Sequence, residues 1–352
     1  MVNKILKPAL INLILFAALS CSTTEPIEDK PGRRDYVWTI DTVVSPTNYP
    51  YKTIYRLWGS SPTDLWATAG GGDPAAGIFH FDGEKWVSSA DRYEGKYLIP
   101  WEPNSIYGFG PNDVYIGCEA GRIYHYDGSG MKEIAALTKD GHTDIVFNNM
   151  WGELPLELFG FGAYPDDQLL FNGSIIGHLI NNKWTMLNTD GLEGIVAQLY
   201  RNKTNSEIYL QVIKYSNSYD TTFIYQYDDG QFIKLYSTIW SSHWASISLI
   251  SNEVYFVLNT EIAKRINNQF KSVLKLDNTN FYERIWGRNS KDIFLEMTDG
   301  LAHYNGIDIK YLFQYSQSNV SIFDSAIFDN DVFFLLYEFQ TGLSLIYHGK
   351  LK

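Results

Sequence analysis

One pattern recurs along this chain and limits what it can fold into. From Trp58 it runs Trp58-Gly59, then Asp64-Leu65-Trp66, then Ile78-Phe79-His80-Phe81-Asp82-Gly83, and ends at Trp86. It returns from Tyr107-Gly108 through Asp113-Val114-Tyr115 to Ile123-Tyr124-His125-Tyr126-Asp127-Gly128. It returns again, worn, from Trp286-Gly287 through Asp292-Ile293-Phe294 to His303-Tyr304-Asn305-Gly306. Self-similarity at a fixed period marks a repeat architecture, in which each unit buries its apolar face against its neighbours.

Taking the histidine as an anchor, the slot holds His80, His125, His178, Gln226, Lys264, His303 and His348. Six residues after each of the first six anchors stands an apolar side chain: Trp86, Met131, Trp184, Phe232, Phe270 and Ile309. An acid precedes each anchor: Asp64, Asp113, Glu157, Glu207, Glu253, Asp292 and Asp331. The acid-to-acid spacings run from 39 to 50 residues, the length of a four-stranded propeller blade. Each unit divides into four short strands. The acid opens the second and is expected to cap turn amides. The anchor lies on the third, which ends in Asp-Gly, Asn-Gly or Asn-Asn, pairs suited to tight hairpins.

The seventh unit has no room for a fourth strand, because six residues beyond His348 lies past Lys352. The strand Tyr36-Val37-Trp38-Thr39-Ile40 is isolated at the other end of the chain, and Trp38 is expected to fill the empty slot. The expectation is an all-β, seven-bladed β-propeller of four-stranded blades, closed by the N-terminal strand completing the last blade. Closure of this kind removes exposed strand edges. These residues resemble the Trp-Gly…Asp-Val-Trp…His-Tyr-Asp-Gly…Trp propeller repeat of secreted bacterial proteins and lipoproteins, loosely related to the kelch and galactose-oxidase style. The resemblance covers residues 36–352, clear in units one, two and six and faint in four, five and seven. It implies a fold and little about activity, since propellers host enzymes, lectins and scaffolds.

The first twenty residues read as a signal peptide: Lys4 and Lys7, then an apolar run over 9–19 too short to span a bilayer. Ala18-Leu19-Ser20-Cys21 resembles a bacterial lipobox, which implies lipidation of Cys21 and cleavage before it. Residues 21–35 read as a lipidated, solvated tether, and 36–352 as a single propeller domain. Ser22 after the cysteine resembles the outer-membrane-sorted pattern, so the expected location is the cell envelope, on either face of the outer membrane. The remaining cysteine, Cys118, reads as a small buried residue, and no disulfide framework is possible in a mature monomer. Removing residues 1–20 takes away two lysines and no acids, leaving 26 basic against 40 acidic side chains, a net of −14. Such a surface repels phosphate backbones and argues against nucleic acid as a partner.

A catalytic or metal-binding residue is needed once, so a histidine repeated blade after blade reads as scaffold. Neither a nucleophile elbow nor a phosphate loop, zinc spacing or dinucleotide fingerprint occurs, and no catalytic residue, cofactor or metal is assigned. Strand order gathers the long loops 70–77, 88–104, 160–174, 214–222 and 237–244 on one rim, where function tends to sit. They carry the candidate ligand-binding residues Tyr93, Trp101, Tyr164, Tyr219, Trp240, His243 and Trp244. Their rings could stack on sugars or anchor a protein, or fold inward and pack the loops. The leading expectation is a monomeric, membrane-anchored, non-enzymatic binding or scaffold module for a protein or glycan. The alternative is a carbohydrate-active enzyme, a glycoside hydrolase or lyase, with its site at the central channel mouth.

Overall fold

A computed structural model of the chain describes residues 29–43, 53–71, 77–89, 99–166, 170–240, 245–316 and 319–352. Cys21 and the candidates Tyr93, His243 and Trp244 lie outside these residues. Seven four-stranded antiparallel sheets follow one another. Blade one is β2 (Thr53–Ser61), β3 (Asp64–Gly70), β4 (Ile78–Phe81) and β5 (Trp86–Ser88). Blade two is β6 (Pro103–Gly110), β7 (Asp113–Cys118), β8 (Arg122–Tyr126) and β9 (Met131–Ala136), and blade three is β10 (Val146–Glu153), β11 (Glu157–Tyr164), β12 (Gly173–Ile180) and β13 (Lys183–Met186). Blade four comprises β14 (Ile195–Arg201), β15 (Ile208–Lys214), β16 (Thr221–Asp228) and β17 (Gln231–Ile239); blade five comprises β18 (Ala245–Ile250), β19 (Glu253–Leu258), β20 (Glu261–Ile266) and β21 (Gln269–Lys275). Blade six is β22 (Phe281–Asn289), β23 (Asp292–Met297), β24 (Gly300–Tyr304) and β25 (Ile309–Gln314). Blade seven is β26 (Val320–Ile327), β27 (Asp331–Glu338), β28 (Leu343–Leu351) and, from the other end of the chain, β1 (Tyr36–Thr42).

The ring closes as the slot pattern anticipates. In blade one Trp86 pairs with Phe81, the residue after the anchor, and Met131, Trp184, Phe232, Phe270 and Ile309 hold the same register in blades two to six. Trp38 pairs with Gly349, the residue after His348. Gly349 carries no side chain because a Cβ there would meet the Trp38 ring at 2.8 Å. The indole also meets Phe313 of blade six edge-on at 4.9 Å between ring centres.

The core is distributed between blades. Each adjacent pair shares one cluster of buried apolar side chains, and the series returns to its start where Phe333, Leu335 and Ile346 of blade seven pack on Leu57, Leu65 and Phe79 of blade one. First strands also interlock through aromatic–glycine contacts: Trp58 lies over Gly108 of the next blade and Phe109 over Gly152. Second strands are buried almost throughout, as in β23 and β3, whereas fourth strands such as β9 and β21 show mostly exposed positions. Cys118 is fully buried, and burial pushes its thiol pKa up.

The turns after the third strands follow their residues. Asn181-Asn182 and Asn267-Asn268 both take positive φ at each position, the geometry of a tight primed hairpin. In blade one, Asp82 instead accepts N–H bonds from Glu84 and Lys85 while Gly83 takes φ 95°. The described end of the segment expected to be tether is docked. Asp29 accepts two bonds from Ser290, Gly32 N–H donates to Lys291 at 2.8 Å, and Arg34 reaches Asp308 at 2.6 Å. No helix among the described residues is long and apolar enough to cross a membrane.

Candidate functional site

Three sets of residues compete for attention: the repeated acid–anchor pair, the first strands around the central channel, and the long loops. The pair proves to be a cassette. The acid opening the second strand accepts a bond from the anchor on the third: Asp64–His80 at 2.6 Å, Asp113–His125 at 2.7 Å, Glu157–His178 at 2.8 Å, Asp292–His303 at 2.6 Å and Asp331–His348 at 2.7 Å. Glu253 takes Lys264 in the same way. The aromatic residue two after each acid packs on the anchor ring, from 4.1 Å for Phe333–His348 to 4.8 Å for Phe294–His303. The acids therefore bond across to the third strand and do not cap turn amides as expected; Asn289 and Asn205 do that instead. Cross-strand reach explains the difference, because the anchor stands opposite the aromatic residue two after the acid, on the same face of the ladder as the acid.

The blade-six cassette is the most enclosed. His303 is fully buried, and Arg288 bonds the second oxygen of Asp292 at 2.8 Å. Arg34 Nε donates to His303 Nδ1 at 3.2 Å, which assigns the ring proton to Nε2, facing Asp292. Burial acts to raise the Asp292 carboxyl, but the His303 and Arg288 bonds outweigh it and hold it below its ordinary value. Every partner here is a scaffold group.

The central channel is a cavity of about 640 Å³ walled by first strands. One position recurs around it, opposite the residue four after each acid: Arg56, Ser105, Asn149, Gln198, Ser246 and Asp324. In blade six Arg284 holds the corresponding place, two residues before Trp286 as Arg56 is two before Trp58. Six of the seven face the cavity; Ser105 is buried and donates to Gly117. A bulge next to this slot in six of the blades swells the first strand.

Blades six, seven and one place Arg284, Asp324 and Arg56 in succession. Arg56 donates from Nε to Asn148 O at 2.9 Å and from Nη1 to Tyr55 O at 3.1 Å, and burial pulls its pKa down. Arg284 Nη1 donates to Ile322 O and Phe323 O at 2.9 and 3.1 Å. Asp324 accepts Leu57 N–H and Ser325 N–H at 2.9 and 2.8 Å; burial raises its carboxyl, partly offset by Arg56. Behind Arg284, burial pushes Glu296 to about 7 although Ile322 N–H bonds it at 3.0 Å. Opposite, Tyr200 donates to Gln198 at 2.5 Å, and burial raises Tyr200.

The loop aromatics divide. Trp101 lies half-buried beneath Arg122, 5.0 Å from its guanidinium, and Tyr164 packs against His142 with ring centres 4.5 Å apart and covers Gly173. Tyr219 is 66% exposed and Trp240 44%, both on blade four. Their loop is held firmly: Ser216 bonds Tyr219 and Asp220, Asn172 of blade three brackets Tyr215, and Trp240 N–H donates to Asp220 O at 2.8 Å. Tyr215 lines the channel cavity, so this patch borders its mouth. Sequence reasoning found the loop residues and missed the channel slot. The signal was present as a polar residue two before the first-strand aromatic in blades one to four and six, and at the equivalent place in blades five and seven, never the same in adjacent blades. Among the described residues no cluster of His, Cys, Asp or Glu could hold a metal ion.

No protein-family model matches the sequence, and no curated protein matches it. Solved structures do resemble it. YCF48 bound to a D1 peptide superimposes with a TM-score of 0.58 at 14% identity, over 92% of this chain and all of that one. The extracellular domain of the one-component system BT4673 of B. thetaiotaomicron gives 0.57 at 13% identity, over 88% of this chain but 40% of that longer one. The WD40 propeller of Doa1 gives 0.54 at 8% identity, covering 90% and 98% of the two chains. At these identities the likeness is one of fold. The chain is a seven-bladed β-propeller.

Proposed function

We propose that this protein is a lipid-anchored binding module of the bacterial cell envelope, held through Cys21 at the outer membrane and presenting its loop-rich face to a protein partner. The observation that carries the reading is the blade-four patch, where Tyr219 and Trp240 stand exposed on a hydrogen-bonded loop beside the channel mouth. Exposed aromatic side chains on a rigid support contribute contact area with little ordering cost, which is the character of interface anchors. The D1 peptide bound to YCF48 is a precedent for peptide binding on this architecture. Site-specific photo-crosslinking from position 219 in intact cells tests the reading. A discrete adduct to one protein, lost with Trp240→Ala, is the expected result; a glycan-array signal from the soluble domain without any protein adduct would replace it with a lectin. Cys21→Ala is expected to release the protein from the membrane fraction.

The enzyme alternative has one observation in its favour, the convergence of Arg56, Arg284, Asp324 and Glu283 on the channel. Each Asp324 oxygen accepts a backbone N–H, however, and the bond from Leu57 ties blade seven to blade one, a structural use of the group. Turnover of a polysaccharide by the soluble domain, abolished by Asp324→Asn, would restore it.

A further inference from the structure

We infer that the channel holds a second binding site, for a small hydroxylated carboxylate such as an acidic sugar, formed by Arg284 and Arg56 on either side of blade seven. Arg56, half-buried, and Arg284, with 47% of its side chain exposed, both line the channel cavity, and neither has a carboxylate at hydrogen-bond distance among the described residues. Arg56 has none within 4.0 Å among the described residues; its bonds go to two backbone carbonyls. Arg284 has only Glu296, at 3.9 Å and beyond hydrogen-bond reach. Backbone bonds through Nε and Nη1 of Arg56, and through Nη1 of Arg284, fix both planar groups. The Nη2 donors of each find no partner among the described residues.

The channel's own carboxylates do not fill that role. Asp324 sits between the two arginines in blade order, with both oxygens engaged by the backbone. Glu283 is buried and already has a partner. Two guanidiniums held by backbone bonds, each with its Nη2 donors unspent, match a planar carboxylate that accepts from both. The rest of the wall suits hydroxyl groups. Gln198 spends its oxygen on Tyr200 and keeps its amide N–H donors, and Ser246 and Ser248 donate to Glu283 O and Ile285 O, leaving oxygen lone pairs toward a ligand. A cavity of about 640 Å³ takes a mono- or disaccharide. This site does not depend on the blade-four patch or on its partner.

Isothermal titration of the soluble domain with sodium glucuronate, glucose and sodium sulfate tests the proposal. Saturable glucuronate binding is expected, with glucose and sulfate at least about tenfold weaker. Arg56→Gln and Arg284→Gln are each expected to weaken glucuronate about tenfold or more, the effect of losing one charge-assisted pair. Arg56→Lys, which keeps the charge and loses the fork, should fall between and guards against a folding defect. Tyr219→Ala should leave glucuronate binding unchanged. Absence of glucuronate binding, equal binding of sulfate, or binding that neither arginine variant alters would overturn the proposal.

Discussion

The outer cassette and the channel slot occupy equivalent places in successive blades, yet they behave in opposite ways. The cassette is filled almost identically each time: an acid, an aromatic two residues on, and a histidine opposite, with Lys264 substituting in blade five. The channel slot is never filled the same way in adjacent blades: Arg, Ser, Asn, Gln, Ser, Arg, Asp. Repetition at a slot means that every blade has the same local need, which is to join the second strand to the third. Variation at a slot that remains polar means that the seven positions serve one shared space. Blade four sharpens the distinction, because there the cassette has lapsed and Glu207 takes Tyr209 and Asn205 in place of the anchor Gln226.

The comparison breaks first if cassette residues prove dispensable. Asp292→Ala leaves a fully buried histidine and Arg288 without their carboxylate, and a loss of about 3–5 kcal/mol in urea unfolding is expected. Because Asp292 is held below its ordinary 3.8, its contribution is complete above about pH 4 and lost as pH falls through the folded value; the variant's acid limb should be correspondingly flatter. Trp38→Ala opens the ring closure and should cost about 2–3 kcal/mol, the indole being half-buried, with faster proteolysis at both chain ends.

Behind the channel, Glu296 carries the reverse sign. Its folded pKa of about 7 lies above the ordinary 4.5, so the native state binds the extra proton and loses stability as pH rises between those values. Glu296→Gln should therefore be more stable than the parent above pH 7, by roughly 1–3 kcal/mol, with the difference closing toward pH 4.5 in thermal melts. Arg56→Gln removes two bonds to backbone carbonyls and should cost only about 1–2 kcal/mol. The smallest effect belongs to the loop patch: Tyr219→Ala should stay within about 0.5 kcal/mol of the parent while abolishing the proposed partner contact. A large stability loss at Tyr219 would make that loop scaffold.

Much of the fold was legible because a repeat states its constraints several times over. Acid, anchor and bulky slot aligned all seven blades, faint ones included, and counting assigned Trp38 to the empty slot of the last blade, where it pairs with Gly349. The acid's partner was less legible. Asp before a strand suggests turn capping, and only the ladder shows that the histidine side chain stands nearer. Of the aromatics expected in loops, Trp101, Tyr219 and Trp240 lie in connections while Tyr164 closes strand β11, and sequence cannot say which way a ring turns. Trp101 and Tyr164 went to packing, Tyr219 and Trp240 to solvent, according to whether Arg122 or His142 was there to cover them.

By itself, then, the sequence determined the number of blades, their strand order and the ring closure, because periodic spacing and hydrogen-bond register follow from local chain geometry. Tertiary structure alone decided the channel. Arg56, Arg284 and Asp324 are distant along the chain and share no motif; they meet because closing the ring brings blades six, seven and one together and a bulge in each first strand swells it toward a common axis. The docking of Asp29 to Arg34 on blade six was likewise invisible in composition, since a polar segment looks solvated until a surface offers Ser290, Lys291 and Asp308 to bond it.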